Sequence, residues 1–280
     1  MTLDTLAFLA AIASGFLHAV WNAFVKRSAN PGGLMIAQLV CAGIVAAVAC
    51  LFIGWPSSNV WHWMLIGALG NSSAILLLSA GYKRGDYAIT YGLSRATVPW
   101  LLTPLTVLFL GAALRGFDIA GIALISLGVL FAATNGSRLK SETLRASAYA
   151  VASGMCVAFS IFSDSRGAML AGALEYGVAQ TALNALVGGL IYRFQSGISI
   201  TETLKKHGRV GAATALISTT SYLLILWVFT RLPPVVGAAL RDSSVLFALL
   251  IGVLLFSERL GRVQWLGCAL MIAGVALLRT

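Results

Sequence analysis

Long apolar stretches, separated by short polar segments, repeat along the whole chain. Each is roughly 20 residues long, the length that an α-helix needs to cross the hydrocarbon core of a membrane. The pattern predicts ten transmembrane helices, at residues 3–25, 34–54, 60–82, 87–111, 117–134, 147–168, 174–193, 209–230, 234–256 and 262–279. Only residues 135–146 and 194–208 are long enough to be linkers, so we expect an all-α membrane protein without an extramembrane domain.

Residues that are 146 positions apart match in several of these stretches. Arg95 corresponds to Arg241, and each arginine lies inside an apolar stretch. The other matching pairs are Val107 and Val253, Leu108 and Leu254, Leu114 and Leu260, Gly121 and Gly267, Leu124 and Leu270, Gly128 and Gly274, and Val129 and Val275. This offset predicts two copies of one five-helix unit, residues 1–140 and 141–280. Because five is an odd number, the second copy is expected to be inverted in the membrane, as in many secondary transporters.

Composition and charge agree with a membrane protein. Of the 280 residues, 59% are hydrophobic and 10% are charged, and the mean hydropathy is +0.91, outside the range of soluble globular proteins. The net charge of +10 does not indicate nucleic acid, because 13 basic residues fall on one predicted face and four on the other. The four are Arg115, Arg166, Arg231 and Arg279. By the positive-inside rule, we expect an inner-membrane protein with both termini outside the cytoplasm.

The sequence contains no pattern that is typical of catalysis or metal binding. The cysteines all fall within predicted helices, without C-x-x-C spacing, and they are Cys41, Cys50, Cys156 and Cys268. G-x-S-x-G, H-E-x-x-H and phosphate-binding glycine loops are absent from the sequence. We therefore expect a protein that is not an enzyme, with no catalytic residue, no cofactor, no metal and no nucleic-acid partner.

The two arginines at membrane depth are the main candidates for a binding site. A guanidinium near the bilayer centre costs several kcal/mol, so such a residue marks a functional site by default. Arg95 lies about 12 Å along helix 4 and Arg241 enters helix 9 from the opposite face, so both approach the middle of the membrane. Two arginines suit a carboxylate, phosphate or phosphonate. The alternative is that one of them pairs with Asp242 and holds the two halves together.

Further polar and aromatic residues in the predicted helices are candidates for substrate binding. They are Trp21, Asn22, Asn71, Tyr91 and Tyr222. His18 shares a helix face with Asn22, and either His18 or Asp242 is a candidate for proton coupling or gating. The alternative for His18 is a neutral imidazole that is satisfied by a backbone carbonyl or water. Asp164 and Glu175 lie near predicted helix ends, so we expect them at the membrane interface.

Proline and glycine positions predict where helices bend and where they approach closely. In helix 4, Pro99 and Pro104 leave the carbonyls of Arg95 and Trp100 without helical partners, so an irregular turn is expected there. Helix 9 has Val245 where Pro99 would align, so no such turn is expected in it. Small residues let helices pack closely in lipid. The glycines expected to do so are Gly15, Gly121, Gly128, Gly267 and Gly274.

These features together resemble a known family. The two-by-five arrangement, the turn FSERL at residues 256–260 and the Gly267–Gly274 spacing are similar to the EamA branch of the drug/metabolite transporter superfamily. Residues 18–26 (HAVWNAFVK) resemble a variant of the first helix in some members. The first copy reads GAALR at residues 111–115, so the acidic residue of the family turn is present only as Glu258. The resemblance implies a ten-helix carrier.

The sequence therefore predicts a secondary transporter that works by alternating access. Its substrate is expected to be a small metabolite with an oxyanion, such as an amino acid, an organic acid or a phosphonate. We expect a monomer or weak homodimer in the lipid bilayer. Two alternatives stay open, a translocase of a lipid-linked anionic substrate and a non-transporting membrane scaffold. A midplane cavity that reaches Arg95 and Arg241 would favour transport.

Overall fold

The computed structural model describes residues 5–85, 87–133, 144–196, 199–257 and 259–279, without the side chains of residues 87, 88, 192–196 and 256. Within these ranges the fold is all α-helical and contains no strand. The helices are α1 (Thr5–Arg27), α2 (Pro31–Ile53), α3 (Trp61–Tyr82), α4 (Tyr87–Leu110), α5 (Gly116–Ala133), α6 (Leu144–Ala171), α7 (Ala173–Ser196), α8 (Ile200–Phe229), α9 (Pro234–Asp242), α10 (Ser244–Phe256) and α11 (Arg262–Leu277).

Most helices begin and end within a few residues of the predicted spans, because the apolar length of each stretch sets its helix. Eight stretches in the described residues are long and apolar enough to cross a membrane, and α9 and α10 together form one of them. The predicted linker at residues 194–208 is wrong where it is described, since α8 begins at Ile200. The boundary between the two predicted copies, near residue 140, lies outside the described residues.

The predicted helix at residues 234–256 is interrupted, whereas the predicted helix at residues 87–111 is continuous. The predicted helix 234–256 is two helices, which end and begin on either side of Ser243. Ser243 is a single turn residue that keeps helical dihedral angles, φ −55° and ψ −15°, between Asp242 and Ser244. In contrast, α4 continues through Pro99 and Pro104. A proline removes one hydrogen bond, which a long packed helix tolerates.

The paired glycines of α5 and α11 bring two helix backbones into contact. A Cβ added at Gly121 would lie 2.9 Å from the carbonyl oxygen of Gly274, and one added at Gly274 would lie 2.7 Å from that of Gly121. Gly128 and Gly267 make the same reciprocal contact, 2.7 Å in each direction. The two backbones therefore touch, and any side chain at these positions would separate them.

Candidate functional site

The helix interruption lies directly against α1. A Cβ added at Gly15 would lie 3.0 Å from the carbonyl oxygen of Arg241 and 3.2 Å from both Ser243 Oγ and the Ser244 amide nitrogen. The absence of a side chain at Gly15 therefore lets α1 reach the break. The next turn of α1 carries His18, which this contact brings level with Arg241.

Arg241 meets the polar side of α1 through its guanidinium. Its Nη2 lies 3.3 Å from Nδ1 of His18, and because a guanidinium can only donate, Nδ1 is the acceptor. The His18 ring packs edge-on against Trp21, with 5.2 Å between ring centroids. Asn22 instead donates from Nδ2 to the His18 carbonyl oxygen at 2.7 Å. The structure thus brings His18 and Trp21 to the site and commits the Asn22 amide to its own helix.

Arg95 approaches the same region from α4. Its Nε donates to the Tyr91 hydroxyl at 3.2 Å, and its Cζ lies 5.4 Å from the centroid of the Tyr91 ring. Its Nη1 lies 4.0 Å from Oδ1 of Asp242, with 27% of the Arg95 side chain and 17% of the Asp242 side chain exposed. The two guanidinium groups are within electrostatic range of each other and of His18. Arg95 and Arg241 therefore converge, as their matched positions predicted.

Asp164 joins this region, contrary to the expectation that it is interfacial. It is buried, 7% exposed, because α6 continues for seven residues, about 10 Å, beyond it. Its Oδ1 accepts a hydrogen bond from the Tyr176 hydroxyl at 3.0 Å, and its Oδ2 accepts one from the Tyr222 hydroxyl at 2.9 Å. Asp164 and Tyr222 both lie within electrostatic range of Arg241. Sequence reasoning therefore missed this carboxylate.

Gln180 of α7 lies next to Asp164 and packs against α3. A Cβ added at Gly67 would lie 2.7 Å from Asp164 Oδ1 and 3.0 Å from Gln180 Nε2, so this glycine makes room for both side chains. Gln180 donates from Nε2 to the Met64 carbonyl oxygen at 3.2 Å, while its Oε1 is buried without a hydrogen-bond partner. The burial of Asp164 had one signal in the sequence. The small residues Gly167 and Ala168 follow it, and they extend the packing face of helix 6 beyond Asp164.

Several expected residues are not brought into these contacts. The Asn71 side chain is exposed, although it follows Gly67 by one helical turn. Glu175 is half-buried at the start of α7, and Glu258 lies outside the described residues. One cavity of about 370 Å³ lies between α2 and α7, and another of about 230 Å³ lies near the ends of α4, α6 and α8. Arg95 and Arg241 line neither of these two cavities, although both side chains are partly exposed.

The second half of the chain matches a known protein family. Residues 142–280 match the EamA-like transporter family. The chain belongs, through this half, to the EamA-like transporter family. Members of that family are transporters rather than enzymes, and with its apolar helices this EamA-like protein is a multi-pass membrane protein.

The fold of this EamA-like protein is also known from solved structures. One crystal structure is similar over 97% of both chains, with a TM-score of 0.75 and 16% identity. At this level of identity the similarity concerns the fold alone. A search of curated proteins finds no match.

Proposed function

We propose that this EamA-like protein is a secondary transporter of a small metabolite whose oxyanion binds between Arg95 and Arg241. The observation that carries the proposal is that two guanidinium groups, one from each half of the chain, lie within electrostatic range of each other and of one carboxylate, Asp242, which is 4.0 Å from Arg95. The second carboxylate in range, Asp164, already accepts two tyrosine hydrogen bonds. A carboxylate, phosphate or phosphonate between the arginines would accept hydrogen bonds from guanidinium N–H groups that neither carboxylate uses.

We further propose that the halves, residues 1–140 and 141–280, are inverted copies that close around this site. Both halves contain the sequence Ala-Ser-Gly, at residues 13–15 and 152–154. In α1, Ser14 donates to the Ser221 carbonyl oxygen of α8 at 2.8 Å, and in α6, Ser153 donates to the Ala74 carbonyl oxygen of α3 at 2.9 Å. With ten helices in two copies, α8 would correspond to α3. Equivalent contacts in both halves are what inverted repeats make.

The interrupted helix supports an anion at this position. Discontinuous helices in transporters direct their N-terminal ends, which carry partial positive charge, at anionic groups of the substrate. Here α10 begins at Ser244, beside Arg241 and against Gly15. In this mechanism the ion pair of Arg95 and Asp242 is the gate, because an arriving oxyanion competes with Asp242 for Arg95. Arg95 would pair with Asp242 in one state and with the substrate oxyanion in the other. This exchange would accompany the change of the transporter from opening on one side of the membrane to opening on the other.

The contact between His18 and Arg241 supports proton coupling through His18. A proton on His18 Nδ1 would break its hydrogen bond with Arg241 and place two positive charges side by side. A substrate oxyanion between them removes that repulsion. Proton and anion would therefore bind more tightly together than alone, and by linkage each would raise the affinity for the other. Asp242 is the other candidate for the coupling group.

Transport by arginine variants tests the proposal. The parent protein in proteoliposomes would be screened for uptake of radiolabelled amino acids, organic acids and phosphonates. We expect Arg95→Ala and Arg241→Ala each to abolish uptake of the transported solute, and lysine to fail wherever the arginine binds through two hydrogen bonds. Arg279→Ala is the matched control, since Arg279 packs on Phe8 away from the site. Normal uptake by both central alanine variants would contradict the proposal.

The same experiment distinguishes a transporter from a scaffold. Each variant would be checked for monodispersity and thermal unfolding in detergent before transport is measured. Loss of folded protein in both alanine variants would favour the alternative in which the arginines only hold the two halves together. Folded but inactive variants support the substrate site.

A further inference from the structure

A second pair of arginines meets in a cavity at one end of the helix bundle. The cavity, about 230 Å³, lies where α4, α6 and α8 end and α9 begins, and Arg166, Thr230 and Arg231 line it. Its remaining described lining is apolar or proline, without a carboxylate. Two positive charges therefore share one small space without a negative charge in its wall.

Both arginines are held by stacking on tryptophans. Arg166 Cζ lies 5.9 Å from the ring centroid of Trp63, and Arg231 Cζ lies 5.5 Å from that of Trp227. Stacking uses the face of a guanidinium and leaves the N–H groups at its edge to donate. Among the described residues neither guanidinium is paired with a carboxylate, so an anion in the cavity would not have to displace one.

Four arginines were expected on the face with few basic residues, and the other two of them, Arg115 and Arg279, make different contacts. Arg115 is bound by Asp118, with Nη2 2.8 Å from Oδ1 and Nε 3.1 Å from Oδ2. Arg279 packs over the ring of Phe8 and does not line the cavity. The convergence on the cavity is therefore specific to Arg166 and Arg231.

We propose that this cavity is an outer binding site for a small oxyanion, on the route to the central arginines. Helix α9 connects the two sites, because Pro234 lines the outer cavity and Arg241 lies seven residues later, about 10 Å along the helix. The volume is below that of pockets for drug-sized ligands, so it suits a group with few heavy atoms. A carboxylate or phosphate captured there raises the anion concentration beside the deeper site. Its role on the route rests on the proposed function, while anion binding itself does not.

Phosphate binding to purified protein in detergent tests the proposal, with inorganic phosphate as the probe. The background variant is Arg95→Ala/Arg241→Ala, which removes the central site and leaves the outer one. We expect the background variant to bind phosphate and Arg166→Gln or Arg231→Gln to weaken that binding about tenfold or more, as the loss of a charge-assisted hydrogen bond does. Arg279→Gln is the matched control and should bind phosphate normally. Arg231 is exposed, so its variant is expected to fold even if the Arg166 variant does not.

The outcomes separate this site from the central one. A background variant that binds no phosphate overturns the outer site and leaves the central site standing. The background variant could also bind phosphate as the parent protein does, while Arg166→Gln and Arg231→Gln bind none. That result would support the outer site and contradict the central site. A lipid phosphate has the same chemistry, so phosphatidylglycerol in mixed micelles is the second arm. Failure of phosphatidylglycerol to displace labelled phosphate supports a soluble anion, and a site occupied only by the lipid overturns the proposal.

Discussion

At the scale of single residues, the two central arginines have unequal partners. Arg95 donates to Tyr91 and faces Asp242, so much of its hydrogen-bonding capacity is in use. Arg241 Nη2 lies against a histidine nitrogen, and among the described residues its Nε is buried without a hydrogen-bond partner. An arginine with unused donors is the better anchor for a substrate oxyanion. We therefore propose that Arg241 makes the two-pronged contact and Arg95 the gating contact.

Replacement of His18 tests whether the imidazole carries the coupling proton. We expect His18→Gln to retain solute counterflow, because glutamine still offers an acceptor to Arg241, but to lose accumulation driven by a pH gradient. The measurement is uptake of the transported solute into proteoliposomes with and without an inward proton gradient. His62→Gln is the control, since His62 is exposed at the start of α3. Accumulation by the parent protein that is insensitive to protonophores would already contradict proton coupling.

Site residues could be predicted where a short stretch of sequence marks them, and not where their burial depends on other helices. Arg95 and Arg241 stand out because charge inside an apolar stretch is visible in one window of sequence, and their matched offset implies equal depth. Asp164 was misplaced because its burial depends on Tyr176 and Tyr222, which come from two other helices. Only the fold shows that these hydroxyls reach the carboxylate. Asn71 was included for its type, and its side chain is exposed.

At the scale of elements, helix positions follow from the sequence and helix interruptions do not. Apolar length fixes where a membrane helix begins and ends, so the predicted and observed bounds of α1 to α7 agree closely. Pro99 and Pro104 do not divide α4, which is continuous through both of them. The interruption at Ser243 is supported by contact with Gly15, more than 200 residues away in sequence. A tertiary contact of this kind leaves no local pattern.

The glycine contacts between α5 and α11 predict a difference between two alanine variants. A Cβ at Gly267 would lie 2.6 Å from the Ala132 amide nitrogen and 2.7 Å from the Gly128 carbonyl oxygen, both backbone atoms that cannot rotate away. We expect Gly267→Ala to lower stability by about 1–3 kcal/mol, as overpacking does. At Gly189 a Cβ meets nothing within 4 Å, so Gly189→Ala should leave stability unchanged or raise it. Thermal unfolding in detergent compares the two, and equal midpoints would contradict the close approach of α5 and α11.

At the scale of the whole molecule, the two ends of the described chain meet at one face of the bundle. Arg279, just after α11, lies with its Cζ 5.9 Å from the ring centroid of Phe8 near the start of α1. The opposite face carries the helix ends rich in basic residues. There Arg84, after α3, lies 4.8 Å from the ring centroid of Tyr149 near the start of α6. The basic residues are therefore distributed unequally between the two faces of the helix bundle, with fewer at the face where the two ends of the described chain meet.

This asymmetry predicts that both termini face the periplasm or its equivalent. Thirteen basic residues lie at helix ends or in connections on one predicted face and four on the other, and basic residues at such positions favour the cytoplasmic side. A fusion of alkaline phosphatase to the C-terminus should be active, because this enzyme folds only outside the cytoplasm, and a fusion of green fluorescent protein should be dark. Matched fusions after Arg84, at the basic face, should give the opposite result. An inactive phosphatase and a fluorescent C-terminal fusion would reverse the orientation, yet leave the helices and the paired arginines unchanged. The outer cavity would then open to the cytoplasm, and the direction in which its anion enters would reverse with it.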